Sequence, residues 1–312
     1  MGVEMTGQIV RSKYNRQFAG LKKYNHVQAW FVFGSFVVQY IVCIVMGHIL
    51  LSLEANPAVI MLMIFFAVFA ATRLRALNNI VHECAHMTFG PTRSANVLFG
   101  SLSASLVLSC FQDYRDEHLT HHTHLGDYDR DMDLHGIKDL GLHDQITLRT
   151  ILRHLVTPFI GRHLPYYLNA NMSARDGSAY LALKAGIILG TLVFLLIAPL
   201  TALIFVILPF TFIYSAFNYW TDCLDHAGLL ISQDELDASR NVLATGIVRF
   251  LFFPRNDCFH LVHHLFPHVP ARHLEFCHNI LETEDHYRER PHASRLGRKV
   301  KVQAGRKKAV TP

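Results

Sequence analysis

The fold is decided by residues 185–221, AGIILGTLVFLLIAPLTALIFVILPFTFIYSAFNYWT, a run of 37 residues without a charged side chain or a histidine. As one helix it would reach about 55 Å, nearly twice the roughly 30 Å hydrocarbon core of a bilayer. Pro199 and Pro209 also disfavour one straight helix. The run therefore reads as two membrane spans, about 182–198 and 201–220, joined by a tight turn at Ala198-Pro199-Leu200-Thr201.

Two more uncharged runs lie upstream, at 29–47 and 55–72, separated by Ser52, Leu53 and Glu54 and closed by Arg73. They predict spans of about 28–51 and 56–76. The expected architecture is an all-α integral membrane protein of four transmembrane helices in two hairpins, with a cytosolic helical cap. Residues 1–27 form a cytosolic N-terminal segment, 28–290 the membrane domain and 291–312 a basic tail. Residues 95–111 are uncharged too, but contain Gly100 and four serines, and read as interfacial or re-entrant. Residues 151–168 mix apolar side chains with Arg153, His154, Arg162 and His163, the pattern of an amphipathic surface helix.

Composition agrees. Of the 312 residues 51% are hydrophobic and only 17% charged, against about 25% charged in soluble domains. The 22 Phe and 11 Tyr exclude general disorder, and six Cys without a C-x-x-C pair exclude a disulfide scaffold. The net charge of +5 is local, because seven basic residues lie between Arg295 and Lys308. That tail suits anionic headgroups or simple solvation. No basic stripe with interleaved aromatics exists elsewhere, so nucleic acid is not an expected partner. Arg11, Lys13, Arg16, Lys22 and Lys23 precede the first span, Arg73 and Arg75 follow the second, and the outer turns lack Lys and Arg. Both termini are expected in the cytosol, and no cleaved signal peptide is expected.

The unusual count is 21 histidines. Three clusters stand out: His82-Glu83-Cys84-Ala85-His86, His118-Leu119-Thr120-His121-His122 and His260-Leu261-Val262-His263-His264. Positions i, i+3 and i+4 share one helix face, so each cluster aims its imidazoles at one region. A lone helical histidine is more often structural, but three such clusters together predict metal binding. Eight nitrogens are too many for one ion and suggest two. Imidazole suits Fe, Zn and Cu alike; a paired His-rich site at a membrane face points to O2 chemistry and hence iron. With four spans all three clusters fall on the cytosolic side, provided that 95–111 does not cross.

The run from Arg255 to Pro270 reads N-x-x-x-H-x-x-H-H-L-F-P-x-x-P from Asn256 onward. It resembles the signature of the membrane fatty-acid desaturase family, the histidine-box di-iron desaturases and hydroxylases. Ser239-Arg240-Asn241 fits as well, and the resemblance covers roughly 30–290. It implies two iron ions, O2 as co-substrate, an aliphatic substrate, most simply a fatty acyl chain on a lipid or carrier, and a C=C bond as product. A hydroxylase of the same superfamily, or a rhizobitoxine-type desaturase of a small amino-acid-derived molecule, is the alternative. It also implies His226 as a ninth ligand, beside His82, His86, His118, His121, His122, His260, His263 and His264. Asp222 stands where acyl-CoA desaturases carry Asn and is a further candidate ligand. One of Asp127, Asp129, Asp131 and Asp133 is expected to orient a ligand histidine. His124 and His135 are left out of the ligand set, and Cys84, Cys223 and Cys258 read as small buried side chains.

An external electron donor, a ferredoxin- or cytochrome-type protein with its reductase, is implied, because no rubredoxin-like Cys site, cytochrome domain or nucleotide-binding glycine motif is recognisable. Arg240, Arg249 and Arg255 are available to steer such a carrier, or to bind lipid phosphate or cap helices. A different class is written in His82-Glu83-x-x-His86, the H-E-x-x-H zinc-protease motif with Glu83 as general base, but it leaves both H-x-x-H-H boxes unexplained. A non-catalytic metal carrier would place its ligands at mid-membrane depth.

Overall fold

The computed structural model describes residues 6–290 apart from 135–136, 169, 231, 233 and 245. His135 and the basic tail therefore lie outside the described residues. Helices α1 (Thr6–Phe18), α2 (His26–Leu51), α3 (Pro57–Ala85), α4 (Arg93–Leu106), α5 (Phe111–His124), α6 (Leu148–Val156), α7 (Ser178–Ile197) and α8 (Pro199–His226) follow in order. Then come α9 (Gly246–Phe252), α10 (His260–Leu265) and α11 (Leu274–Leu281), with short helical turns between; no strand occurs among the described residues. Four helices, α2, α3, α7 and α8, are long and apolar enough to cross a membrane.

Local chemistry sets their ends. Asn25 opens α2 with a capping box to Gln28. Asn56 accepts hydrogen bonds from the Ala58 and Val59 amides, and Pro57 occupies the first turn of α3, where its missing N–H costs nothing. The chain breaks at Ala198, and Pro199 starts α8. Pro209 lies inside α8, where the backbone widens into π-helical turns over Leu203–Ile207 and Pro209–Tyr214. Such turns absorb a residue that cannot donate to the regular ladder.

The second span departs from the expected 56–76. α3 runs 29 residues to Ala85, about 44 Å, so it carries the first histidine cluster on its own last turns. The arginines that closed the run in the sequence are absorbed by packing. Arg73 is fully buried, donates to Gln39 Oε1 (2.9 Å) and the Phe250 carbonyl (3.0 Å), and lies 4.3 Å from the Phe69 ring centroid. Likewise, the fourth expected span, 201–220, extends to His226.

α4 has fourteen residues, roughly 21 Å and short of a crossing. α5 leaves it at 103°, after a turn in which Leu108 takes a positive φ of 53°. The bend agrees with a re-entrant course for 95–111 and equally with a broken span. The bend is packed through Gly100, against which the Phe111 ring lies so closely that an added Cβ would come within 2.5 Å of it. Asp176 fixes the start of α5 by accepting from the Phe111 and Gln112 amides. α6 exposes Leu148, Ile151, Leu152 and Leu155 and turns His154 inward onto the Tyr219 hydroxyl (2.6 Å), so the two-faced pattern holds. The helix ends at Val156, however, and turns with one short helix at Leu164–Tyr167 replace the rest of the expected 151–168.

The Gly100 contact is testable. Gly100→Val forces Phe111 aside, and overpacking of this kind costs roughly 1–3 kcal/mol. Thermal unfolding in detergent is expected to fall accordingly, whereas an unchanged melting temperature would remove this contact from the packing account.

Candidate metal centre

Nine histidines from four helices converge. One group joins His82 and His86 of α3, His118 and His122 of α5 and His263 of α10. The other joins His121 of α5, His226 of α8 and His260 and His264 of α10. Helical spacing explains the division. In each H-x-x-H-H box the i, i+4 pair stays together while the i+3 histidine turns to the other side, so α5 sends His118 and His122 one way and His121 the other. α10 does the reverse, sending His263 to the first group and His260 and His264 to the second.

The spacing fits a cation. In the first group the Nε2–Nε2 separations are 2.8 Å for His82–His263, 3.0 Å for His86–His118, 3.2 Å for His118–His122 and 3.0 Å for His122–His263. In the second, His226–His260 and His260–His264 are both 2.9 Å apart. Nitrogen ligands about 2.0–2.1 Å from a zinc-sized metal stand roughly 2.9–3.4 Å from one another, so the groups have the dimensions of coordination shells.

Tautomers support this. His118 Nδ1 donates to Asp133 Oδ2 (2.9 Å), His121 Nδ1 to Asp131 Oδ2 (2.8 Å) and His226 Nδ1 to the Ala238 carbonyl (2.9 Å). Carboxylate and carbonyl oxygens only accept, so the proton sits on Nδ1 and the Nε2 lone pair faces the group. Burial pushes His118, His122, His260, His263 and His264 well below the ordinary histidine pKa, keeping them neutral. Burial also opposes charge on His121, but its bond to Asp131 and the nearby carboxylates raise its pKa on balance.

The acidic run thus contributes two orienting residues, Asp131 and Asp133. Asp131 is fully buried. Asp222 belongs to neither histidine group; its Oδ2 accepts from the Tyr167 hydroxyl at 2.7 Å. Among the described residues no cysteine enters either group.

Behind the histidines are ion pairs that the cluster spacing does not announce. Glu83 receives two hydrogen bonds from Arg255, at 2.7 and 2.8 Å, and both side chains are buried. Glu83 is therefore committed to a structural pair, which removes the general base of the H-E-x-x-H protease reading. Arg75 of α3 pairs with Asp257 and donates to Asn218 (2.7 Å). The three arginines expected as a steering surface are all engaged. Arg255 is held by Glu83, Arg249 by Asn256 and Glu275, and Arg240 by the Ala227 carbonyl. The docking role expected of them is withdrawn, because a guanidinium spent on local partners leaves little field for a carrier.

Of the cavities, one opens on the histidines and an apolar one neighbours it. The first, of about 240 Å³, touches His82, His118, His121, His226 and His260 and is otherwise lined by polar side chains such as Arg75, Asn218 and Asp222 together with apolar and aromatic ones such as Val107, Leu134, Leu168 and Phe210. The second, of about 560 Å³, is apolar and lies among α2, α3, α7 and α8. Phe210 lines both.

The family model for fatty acid desaturase matches residues 55–295. The chain is 26% identical over 221 residues to the probable fatty acid desaturase DES1 of Sorghum bicolor, covering 62% of this chain and 56% of that one. It is 27% identical over 218 residues to the dihydrorhizobitoxine desaturase of Bradyrhizobium elkanii, covering 63% and 61%. Against the sn-1 acyl-lipid omega-3 desaturase (ferredoxin) of Nostoc sp. (strain 36) it is 29% identical over 121 residues, covering 38% and 33%. The matched region thus spans between 33% and 61% of these relatives' own length. The chain belongs to the fatty acid desaturase family, a family of oxidoreductases.

Asp131→Ala removes the acceptor that orients His121. Loss of such a partner typically costs 10–100-fold in metal affinity. Metal retention against a graded chelator series is expected to weaken by about that factor, and retention equal to wild type would deny Asp131 an orienting role.

Proposed function

We propose that this chain is an O2-dependent di-iron desaturase acting on an aliphatic chain. The division of nine histidines into groups of five and four carries the reading. Two ions fit these groups better than one structural zinc, which closes with four ligands. All nine histidines then serve as ligands, His82, His86, His118, His122 and His263 for one ion and His121, His226, His260 and His264 for the other. Bound iron would supply reduction of O2 and oxidation of the substrate's C–H bonds. The overall step is R–CH2–CH2–R′ + O2 + 2 e⁻ + 2 H⁺ → R–CH=CH–R′ + 2 H2O.

The chain's own residues do the rest. Asp131 and Asp133 keep the His121 and His118 tautomers that bind metal. The histidines are buried or half-buried, which limits the access of bulk water to the reacting region. The apolar chamber bounded by Phe210 offers an aliphatic substrate a seat at the depth of the spans. The two electrons come from a separate carrier. A ferredoxin is the first candidate, because relatives named as acyl-lipid desaturases carry that donor in their names.

Sidedness follows from parity. Four spans put the ends that carry the histidine boxes on one face, and the basic residues Arg11, Lys13 and Arg16 before α2 favour the cytosol for that face. Residues 28–290 act as the membrane domain in this reading, with 1–27 as the cytosolic lead.

The test is turnover by the iron-loaded protein in membranes, given O2, a lipid extract, and ferredoxin with its reductase. Mass spectrometry is expected to find a product two hydrogens lighter than its substrate, and only when the reductant is supplied. His121→Ala is expected to abolish it while membrane insertion persists, since the apolar spans drive insertion. A product one oxygen heavier would assign a hydroxylase instead, and sustained turnover without reductant would contradict the reading.

A further inference from the structure

Three stretches of the chain carry no carboxylate at all: residues 5–53, 84–112 and 258–274 contain neither Asp nor Glu. The structure brings them together around Tyr24. The Tyr24 amide donates to the Phe89 carbonyl (3.2 Å). The Arg272 guanidinium donates to the Lys22 and Lys23 carbonyls and lies 4.7 Å from the Tyr24 ring centroid. The link between α1 and α2, the turn before α4 and the turn after α10 therefore meet with cations and no acid of their own. Charges from elsewhere do not cancel this. Arg11 and Lys13, nearer the start of α1, are paired with Glu235 and Glu284. Arg16, Lys22, Lys23 and Arg93 are exposed, and none has a carboxylate partner among the described residues. Cations gathered without counter-charges raise a positive potential over that face.

The face stands clear of lipid. α3 is about 44 Å long, against a hydrocarbon core of roughly 30 Å and headgroup layers of about 5–8 Å each. With its first residue at one edge of the core, α3 ends roughly 14 Å past the other, beyond the headgroups, and Phe89 follows that end. Trp30, exposed one turn into α2, is the ring type that seeks the headgroup level, and Lys22 and Lys23 precede it. The face also backs onto the histidines. Tyr24 Oη accepts from Arg255 Nη1 (3.1 Å), Arg255 grips Glu83, and Glu83 adjoins His82 in the chain. His82 belongs to the five-histidine group. None of the exposed cations lines the cavity that opens on the histidines, so a protein seated here leaves that cavity unobstructed.

We propose that this face, Arg16, Lys22, Lys23 and Arg93 around Tyr24, is where an acidic one-electron carrier protein docks to reduce the metal centre. Charge complementarity brings the carrier to it and sets its orientation. Each encounter oxidises one carrier by one electron, and two encounters supply the two electrons that the overall step consumes. The inference rests on the desaturase reading for the need of a carrier, but the docking it assigns does not require turnover.

The experiment uses the metal-loaded full chain in neutral phosphatidylcholine nanodiscs, with an oxidised, acidic plant-type [2Fe–2S] ferredoxin as the probe. Carbodiimide coupling joins a lysine amine to a carboxylate only in contact, and peptide mass spectrometry maps it. Microscale thermophoresis measures binding at rising salt. Coupling is expected at Lys22 or Lys23, and affinity is expected to fall steeply between about 50 and 500 mM salt. The double variant Lys22→Glu, Lys23→Glu is expected to bind at least about tenfold more weakly and to keep the wild-type metal content. Arg149→Glu on α6, a helix that packs on α8 through His154, is expected to stay within about twofold of wild type. Coupling confined to other lysines, a salt-independent affinity, an unchanged affinity in the double variant, or an equal loss in Arg149→Glu would overturn the proposal. So would protection of Lys22 and Lys23 from amine acetylation by phosphatidylglycerol nanodiscs but not by ferredoxin, which would make the face a lipid-headgroup site. If the double variant does not fold, coupling on the wild-type protein decides alone. Ferredoxin docking at this face without any product, given O2 and reductant, would reject the desaturase reading and leave the docking surface standing.

Discussion

Nine imidazoles gathered into a group of five and a group of four, the facing ring nitrogens of each group within 4.8 Å of one another, are the constraint on which the rest of this molecule depends. Where Nδ1 is already spent on a carboxylate or carbonyl, the facing nitrogen offers only a lone pair, and lone pairs crowd unfavourably. A cation between them turns that crowding into coordination. The protein must therefore bring rigid helices to one point and fix each ring by its far nitrogen. Asp131, Asp133 and the Ala238 carbonyl do so for three of the rings.

The scaffold meets this demand with buried charge pairs that tie the third box to α3. Arg255 and Asp257, in the turn before α10, are held by Glu83 and Arg75 of α3. Asn79 of α3 donates to the Pro254 carbonyl in the same turn. At the far end of α10, Arg11 of the N-terminal helix donates to the Leu265 carbonyl at 3.0 Å. Leaving one member of a buried pair alone typically costs about 3–5 kcal/mol, so these contacts fix register more than they add net stability. α10 has only six residues and could not hold three ligands in place by itself.

Much of this was legible in the sequence. The four apolar runs, the break before Pro199, the short bent segment and the three histidine boxes all follow from spacing and charge. The match to the family model over 55–295 agrees with the resemblance carried by Asn256 to Pro270. What spacing could not give was partnership across helices. It assigns His121 and His122 to one box but not to opposite metal groups, because that depends on how α5 and α10 cross. Nor could it foresee that α3 would bury Arg73 and Arg75 and continue for three further turns, since both needed distant partners, Phe250 and Asp257. The same blindness made Arg240, Arg249 and Arg255 look free. Asp222 was visible as a departure from the family pattern, yet only the cavity reveals what its carboxylate faces.

The central claim is that the two histidine groups each hold an iron ion. The most direct measurement is metal content per chain by mass spectrometry of the purified protein, beside His263→Ala and His264→Ala. The account predicts two irons in the wild type, with depletion by His263→Ala in the five-histidine group and by His264→Ala in the four-histidine group. A single tightly bound zinc per chain, indifferent to the loss of His264, would contradict it.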